Sequence, residues 1–221
     1  MQAPWKHFET RVLLAGWASA LLVFFAALWI ASCSRREEPA DEAKNTPRVA
    51  RSIPAPPLRE KPKRFPANTH RPGTGEGATS GSVDLGTFSA GRDLVHVDDP
   101  RVWWESDHDT NDTECDHSMH AAVEAPLRRL IELVDAAGGT LEVHDAYRAA
   151  GIHNPRSLHK EGRAVDLTCD ELGLEELAKL CWVAGFDWVY HEAGAKGGAH
   201  VHCSVRRPRP DDEPPQSLAA Q

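Results

Sequence analysis

Residues 157–168 read SLHKEGRAVDLT and residues 186–205 read FDWVYHEAGAKGGAHVHCSV. The second stretch decides the fold class. Phe186 to Tyr190 and His200 to Val205 are short runs rich in aromatic and β-branched residues, on either side of the glycine-rich loop GAKGGA. Two strands joined by a loop are predicted there. On a strand side chains alternate between faces, so His200 and His202 fall on one face. In the first stretch His159 and Asp166 stand seven residues apart. Upstream, Leu141–His144 alternates as a third strand. Residues 118–137 (SMHAAVEAPLRRLIELVDAA) carry helical periodicity that stops at Gly138-Gly139, and Leu172 to Ala184 predicts a second helix that Gly185 ends. The expected fold is α+β, a small antiparallel sheet with packed helices, over residues 82–207.

Outside that segment the composition changes. No charged residue occurs between Val12 and Ser34, and Lys6 and Arg11 precede the run. That length suits a membrane-spanning helix. The run closes on Ile30-Ala31-Ser32-Cys33, a lipobox-like sequence, so residues 1–33 read either as the leader of a lipoprotein or as an uncleaved signal anchor. Both place the remainder outside the cytoplasm, at a membrane. Residues 34–81 hold eight of the 16 prolines and few apolar residues, the composition of a disordered tether. Residues 208–221 read as a disordered tail.

The chain is 221 residues long with net charge −8, enough for one domain of catalytic size plus extensions. Residues 82–205 carry 23 acidic against ten basic residues, a net −13. An acidic domain is a poor phosphate binder, which argues against nucleic acid as a partner. With Cys33 lipidated, Cys115, Cys169, Cys181 and Cys203 remain; four cysteines permit three pairings, and one or two bridges suit an oxidising compartment. The absence of any Cys-x-x-Cys pair argues against a four-cysteine zinc site.

An Asp and two His are competent ligands for a three-ligand zinc site, whose fourth position stays open to water. Zinc lowers that water's pKa to about 7. A strand carrying His-x-His is nonetheless more often ordinary exposed histidine. Resemblance adds weight: SLHKEGRAVDL, AGFDWVY and AHVHCSV resemble the amino-terminal signalling domain of Hedgehog proteins and the bacterial zinc D-alanyl-D-alanine peptidases of VanX/VanY type. The likeness runs over about residues 140–205. It implies zinc held by His159, Asp166 and His202, with His200 beside the site as a non-ligand. It further implies that Glu192 stands at the position of the general base, and that His153, near the metal, steadies the transition state. His144-Asp145-Ala146-Tyr147-Arg148 resembles the peptidases' S-G-Y-R motif, which gives Arg148 the role of oxyanion donor. Hedgehog domains carry acidic calcium ligands in this region; here the aligned positions hold Asp145, Arg148 and Ala150, so most of that cluster is lost. Asp107–Asp112 lacks EF-hand spacing and reads as a solvated acidic loop.

The function this resemblance implies is that of a zinc metallopeptidase, a D-alanyl-D-alanine carboxypeptidase or related endopeptidase. Its partners would be peptidoglycan stem peptides, and its place a bacterial periplasm or cell surface. The alternative is a non-catalytic Hedgehog-like zinc domain that binds a protein or glycan partner. A purely structural zinc site is the third possibility; it would need a fourth ligand such as Cys203, on the opposite face of the strand from His202.

Overall fold

The computed structural model describes residues 56–105, 114–149 and 154–208. The expected anchor, the first part of the expected tether (34–55), the acidic loop Asp107–Asp112, Ala150, His153 and residues 209–221 lie outside them. Among the described residues no helix is long and apolar enough to cross a membrane.

The α+β expectation holds, and the sheet is larger and more mixed than expected. In chain order the elements are β1 (His70–Arg71), α1 (Glu76–Thr79), α2 (Ala90–Asp93), β2 (Leu94–His96), β3 (Val102–Trp104), β4 (Glu114–Cys115) and β5 (Ser118–His120). They continue with α3 (Ala121–Ala136), β6 (Leu141–Asp145), β7 (Tyr147–Arg148), a 3-10 helix (Leu158–Glu161), β8 (Ala164–Thr168), α4 (Gly173–Ala184), β9 (Trp188–Glu192) and β10 (His200–Ser204). Six strands form one sheet in the order β1-β9-β10-β8-β6-β3. It is antiparallel except at one edge, where β3 runs parallel to β6.

The two predicted helices form because each has one apolar stripe. Val123, Leu127, Leu130, Ile131 and Val134 of α3 are buried, as are Leu177, Ala178, Leu180, Cys181 and Ala184 of α4. Both helices pack against each other and cover one face of the sheet, meeting Leu141, Val143, Val165, Leu167, Val189, Val201 and Cys203 in a single core. The alternate residues of the same strands, Glu142, His144, Asp166, Thr168, Tyr190 and His202, therefore belong to the other face. The start of α3 shifts because residues 118–120 pair with β2 as a strand, and His120 caps the helix by accepting from the Ala122 amide at 3.1 Å. Burial pushes the His120 imidazole down to about 4, which keeps that ring neutral and able to accept.

Residues 56–81, assigned above to the tether, pack on the domain. Phe65 is 1% exposed and belongs to the core, its amide donates to Glu175 at 3.0 Å, and its carbonyl accepts from His191 Nδ1 at 3.0 Å. β1 adds to the edge of the sheet through His70↔Tyr190 and Arg71↔Val189. The prolines here space an extended strap rather than a free linker; Arg129 donates to the Pro56 carbonyl at 2.5 Å, and Arg59 stacks on Trp182 at 4.3 Å. A buried ion pair then clasps the next segment. Arg163, 1% exposed, meets Glu161, 0% exposed, at 2.5 Å and donates to the carbonyls of Ser80, Ser82 and Val205. The clasp holds the segment just after α1 down at the C-terminal end of β10, next to the open face.

Candidate metal centre

Three elements place the three expected ligands. Ser157 Oγ accepts from the His159 amide at 3.4 Å and starts the 3-10 helix, and Gly162 ends it with φ +64°. A Cβ at Gly162 would lie 2.9 Å from the His120 backbone nitrogen and 2.8 Å from Leu94, so only glycine fits this turn. The turn sends the chain directly into β8, which carries Asp166. β10 lies antiparallel to β8 with His202 opposite Asp166. His159, Asp166 and His202 thus offer ligand atoms that all lie within 4.8 Å of one another.

Hydrogen bonds orient each ligand. His159, 1% exposed, donates from Nδ1 to the Ala146 carbonyl at 2.8 Å, which turns Nε2 toward Asp166 Oδ2 at 3.4 Å. Asp166 Oδ1 lies 2.7 Å from His202 Nδ1. On its far side His202 Nε2 meets Glu76 Oε1 of α1 at 2.7 Å. A carboxylate on the outer nitrogen of a ligating histidine fixes ring orientation and raises basicity, the usual support around a protein-bound metal. Burial alone would push the His202 imidazole down, but Asp166 and Glu76 outweigh it and raise it to about 10. Burial would likewise raise Asp166, yet the His159 and His202 rings hold its carboxyl well below the usual range. The pocket therefore concentrates negative charge around a site that calls for a cation. Two imidazoles and a carboxylate with a supporting outer carboxylate fit zinc.

The other expected residues fall as follows. His200 Nε2 lies 3.6 Å from Asp166 and 3.5 Å from Glu192 Oε2. Glu192 is Cα partner to His200 across β9 and β10, so its carboxylate addresses that histidine beside the centre. Arg148 is 4% exposed and forms an ion pair with Asp145 at the end of β6. Cys203 is buried in the core, on the opposite side of β10 from His202, and does not join the three ligands. Cys169, Cys181 and Cys203 are free thiols. Glu76 was missed: it lies 126 residues from His202 in a Gly- and Thr-rich stretch with no ligand spacing to mark it. An aromatic wall adjoins the centre, with ring centroids 5.2 Å apart for His70 and Trp188, 5.6 Å for Trp188 and Tyr190, and 5.8 Å for Trp188 and His202.

Comparison with known proteins decides between the two families the motifs resemble. The family model of the Hedgehog amino-terminal signalling domain matches residues 43–204. Over 72 residues the chain is 47% identical to Indian hedgehog B protein of Danio rerio, covering 31% of this chain and 16% of that protein. It is 44% identical to Indian hedgehog protein of Gallus gallus over the same length, covering 31% and 17%, and 44% identical to Sonic hedgehog protein of Danio rerio, covering 31% and 16%. The chain thus matches only a small part of each relative's length.

These findings overturn the peptidase expectation. The D-alanyl-D-alanine carboxypeptidase or endopeptidase activity, the peptidoglycan stem peptides as partners and the cell-wall role are all withdrawn, and a bacterial periplasm has no support. The physical reason for the error is that a His/Asp/His set reports the metal it suits and not what the domain does with it, so ligand chemistry alone cannot separate a peptidase from a binding domain. What stands is the coarser part: an extracellular class of domain, with a His/Asp site of the kind that holds zinc. With 43–204 matched, the chain belongs to the Hedgehog amino-terminal signalling domain family.

Proposed function

We propose that this chain is an extracellular signalling-type module whose open sheet face, built around a zinc ion held by His159, Asp166 and His202, binds a receptor protein. The apolar segment Val12–Ser34 serves as its leader or membrane anchor, and residues 34–55 as its tether. The carrying observation is the organisation of that face: three converging ligand side chains, with Glu76 orienting His202 and an aromatic wall of His70, Trp188 and Tyr190 beside them. Zinc, when bound, would supply a fixed positive centre tying together the 3-10 helix, β8 and β10 that carry His159, Asp166 and His202. The chain's own residues do the rest. Ala146 fixes the His159 tautomer, Glu76 fixes His202, and the half-buried Tyr190 and His70 rings, backed by the buried Trp188, offer rigid aromatic area of the kind that dominates binding energy at interfaces. Glu192 and His200 add a polar rim to the same surface.

The test is binding of the full chain to ectodomains of Hedgehog receptors, with zinc present and after chelation, beside Tyr190→Ala and His202→Ala. Binding that needs zinc and falls with either substitution supports the reading. A zinc-loaded chain that binds none of these ectodomains overturns it.

A further inference from the structure

The edge of the open face away from the aromatic wall carries a second feature. Trp103 of β3 is 50% exposed although it is a large aromatic residue on a sheet strand. It stands opposite Glu142 on β6, which stands opposite Thr168 on β8. A hydrogen-bonded chain fixes these groups. Thr168 Oγ1 donates to Glu142 Oε2 at 2.7 Å, His144 Nε2 meets Thr168 Oγ1 at 2.7 Å, and His144 Nδ1 meets Glu105 Oε2 at 2.7 Å. The His144 ring also touches the Trp103 indole, with centroids 5.8 Å apart. Both carboxylates keep about a quarter of their side-chain surface, 24% for Glu105 and 26% for Glu142. Among the described residues no Lys or Arg belongs to this network, and His144 is the basic group that faces both carboxylates, 2.7 Å from Glu105 and 3.6 Å from Glu142. The cation next in sequence, Arg101, is engaged by Asp99 and Glu132, both at 2.8 Å.

The patch thus presents an open indole beside two immobilised carboxylates, in a segment whose net charge is −13 over residues 82–205. A planar cation satisfies all three at once, because a guanidinium stacks on an indole while its edge donates to carboxylates. The geometry points to Trp103, Glu105 and Glu142 as a docking subsite for an arginine side chain of the protein partner. This rests on the reading of the open face as a receptor-binding surface, and it places a second anchor on that face besides the metal centre. The hydrogen bonds through His144 and Thr168 hold the carboxylates before the partner arrives, so little ordering remains to be done on binding.

The probe is a blocked Gly-Arg-Gly-Arg-Gly peptide, with the same peptide carrying citrulline, arginine's neutral isostere, as control. Each is titrated into the full chain at low ionic strength while the Trp103 indole N–H resonance is followed, assigned by its loss in Trp103→Phe. The arginine peptide should shift that resonance and the citrulline peptide should not, and Glu105→Gln with Glu142→Gln should weaken binding by roughly fivefold or more. Equal shifts with citrulline, unchanged affinity in the double variant, or shifts confined to other indoles would overturn the subsite. The same variants assayed with a receptor ectodomain separate the two claims. Receptor binding that survives both substitutions overturns the subsite and leaves the receptor reading standing. Arginine-selective shifts in a chain that binds no receptor keep the subsite and refute the receptor reading.

Discussion

The two faces of the six-stranded sheet are made by the same strands and obey different rules. On the covered face, Val143, Leu167, Val201 and Cys203 are all 0% exposed beneath α3 and α4, and each is interchangeable in kind with another apolar residue. On the open face their sequence neighbours are His144, Asp166 and His202, held by directional bonds of 2.7 to 3.4 Å. Burial is non-directional and scales with area, so the covered face tolerates exchange of one hydrophobe for another of similar volume. Directional bonds fail with a single atom. Packing and the candidate metal centre therefore lie on opposite sides of the same few strands, so the two can be perturbed separately.

The largest effect should come from the covered face. Leu167→Ala or Leu127→Ala removes a wholly buried side chain and should cost about 2–5 kcal/mol in chemical denaturation. A loss that small surface substitutions match would break the distinction between faces. Next comes Gly162→Ala at the junction: a non-glycine residue at φ +64° with its Cβ against the His120 backbone should cost about 1–3 kcal/mol and also weaken metal binding, because the turn sets both His159 and Asp166. Differential scanning calorimetry with and without zinc reads both consequences. On the open face, Glu76→Gln keeps the shape of the side chain while removing its charge, and should lower zinc affinity about 10–100-fold in chelator competition. Trp103→Ala should leave stability within about 0.5 kcal/mol of the parent, since the indole is half exposed.

Titration sharpens the same contrast. In the metal-free protein His202 is raised to about 10 from an ordinary 6.5. A raised group stabilises the fold fully below its unfolded value and loses that contribution as pH climbs through the folded one. Chelated protein should therefore lose stability between about pH 6.5 and 10, and the Cys203 thiol of the covered face, which burial pushes well above its ordinary value, adds a loss only in the alkaline part of that window. Asp166 is depressed, so its contribution is present above its unfolded value and is lost as pH falls through the acid range. Thermal midpoints of chelated protein across that range check both signs. A flat profile up to pH 10 would show that the open face carries no such charge pairing.

How much of this was legible in the sequence follows the same division. The stripes of α3 and α4 stood out because a single covered side leaves a 3.6-residue period. β8 was not anticipated as a strand, because Ala164–Leu167 is buried on both sides and shows no alternation. β9 begins at Trp188 rather than Phe186, because the apolar run offers no period to mark its first paired residue. β1 and Phe65 were hidden in proline-rich sequence, where local composition says nothing of a partner such as Tyr190 more than a hundred residues away. At the site, His159, Asp166 and His202 were readable from two compact motifs. Glu76 was not, since it reaches His202 only through the fold. The peptidase reading failed at a different level: ligands report the metal they suit, and the metal does not report whether the domain cuts or binds.

The most direct test of the metal-centred account is the zinc content of the full chain beside His202→Ala, followed by cobalt substitution and its visible spectrum. The parent should carry one zinc per chain and give a tetrahedral cobalt spectrum, and the variant should lose both. A parent that binds no zinc, or a variant that retains it unchanged, would contradict the claim that the open face is organised around this centre.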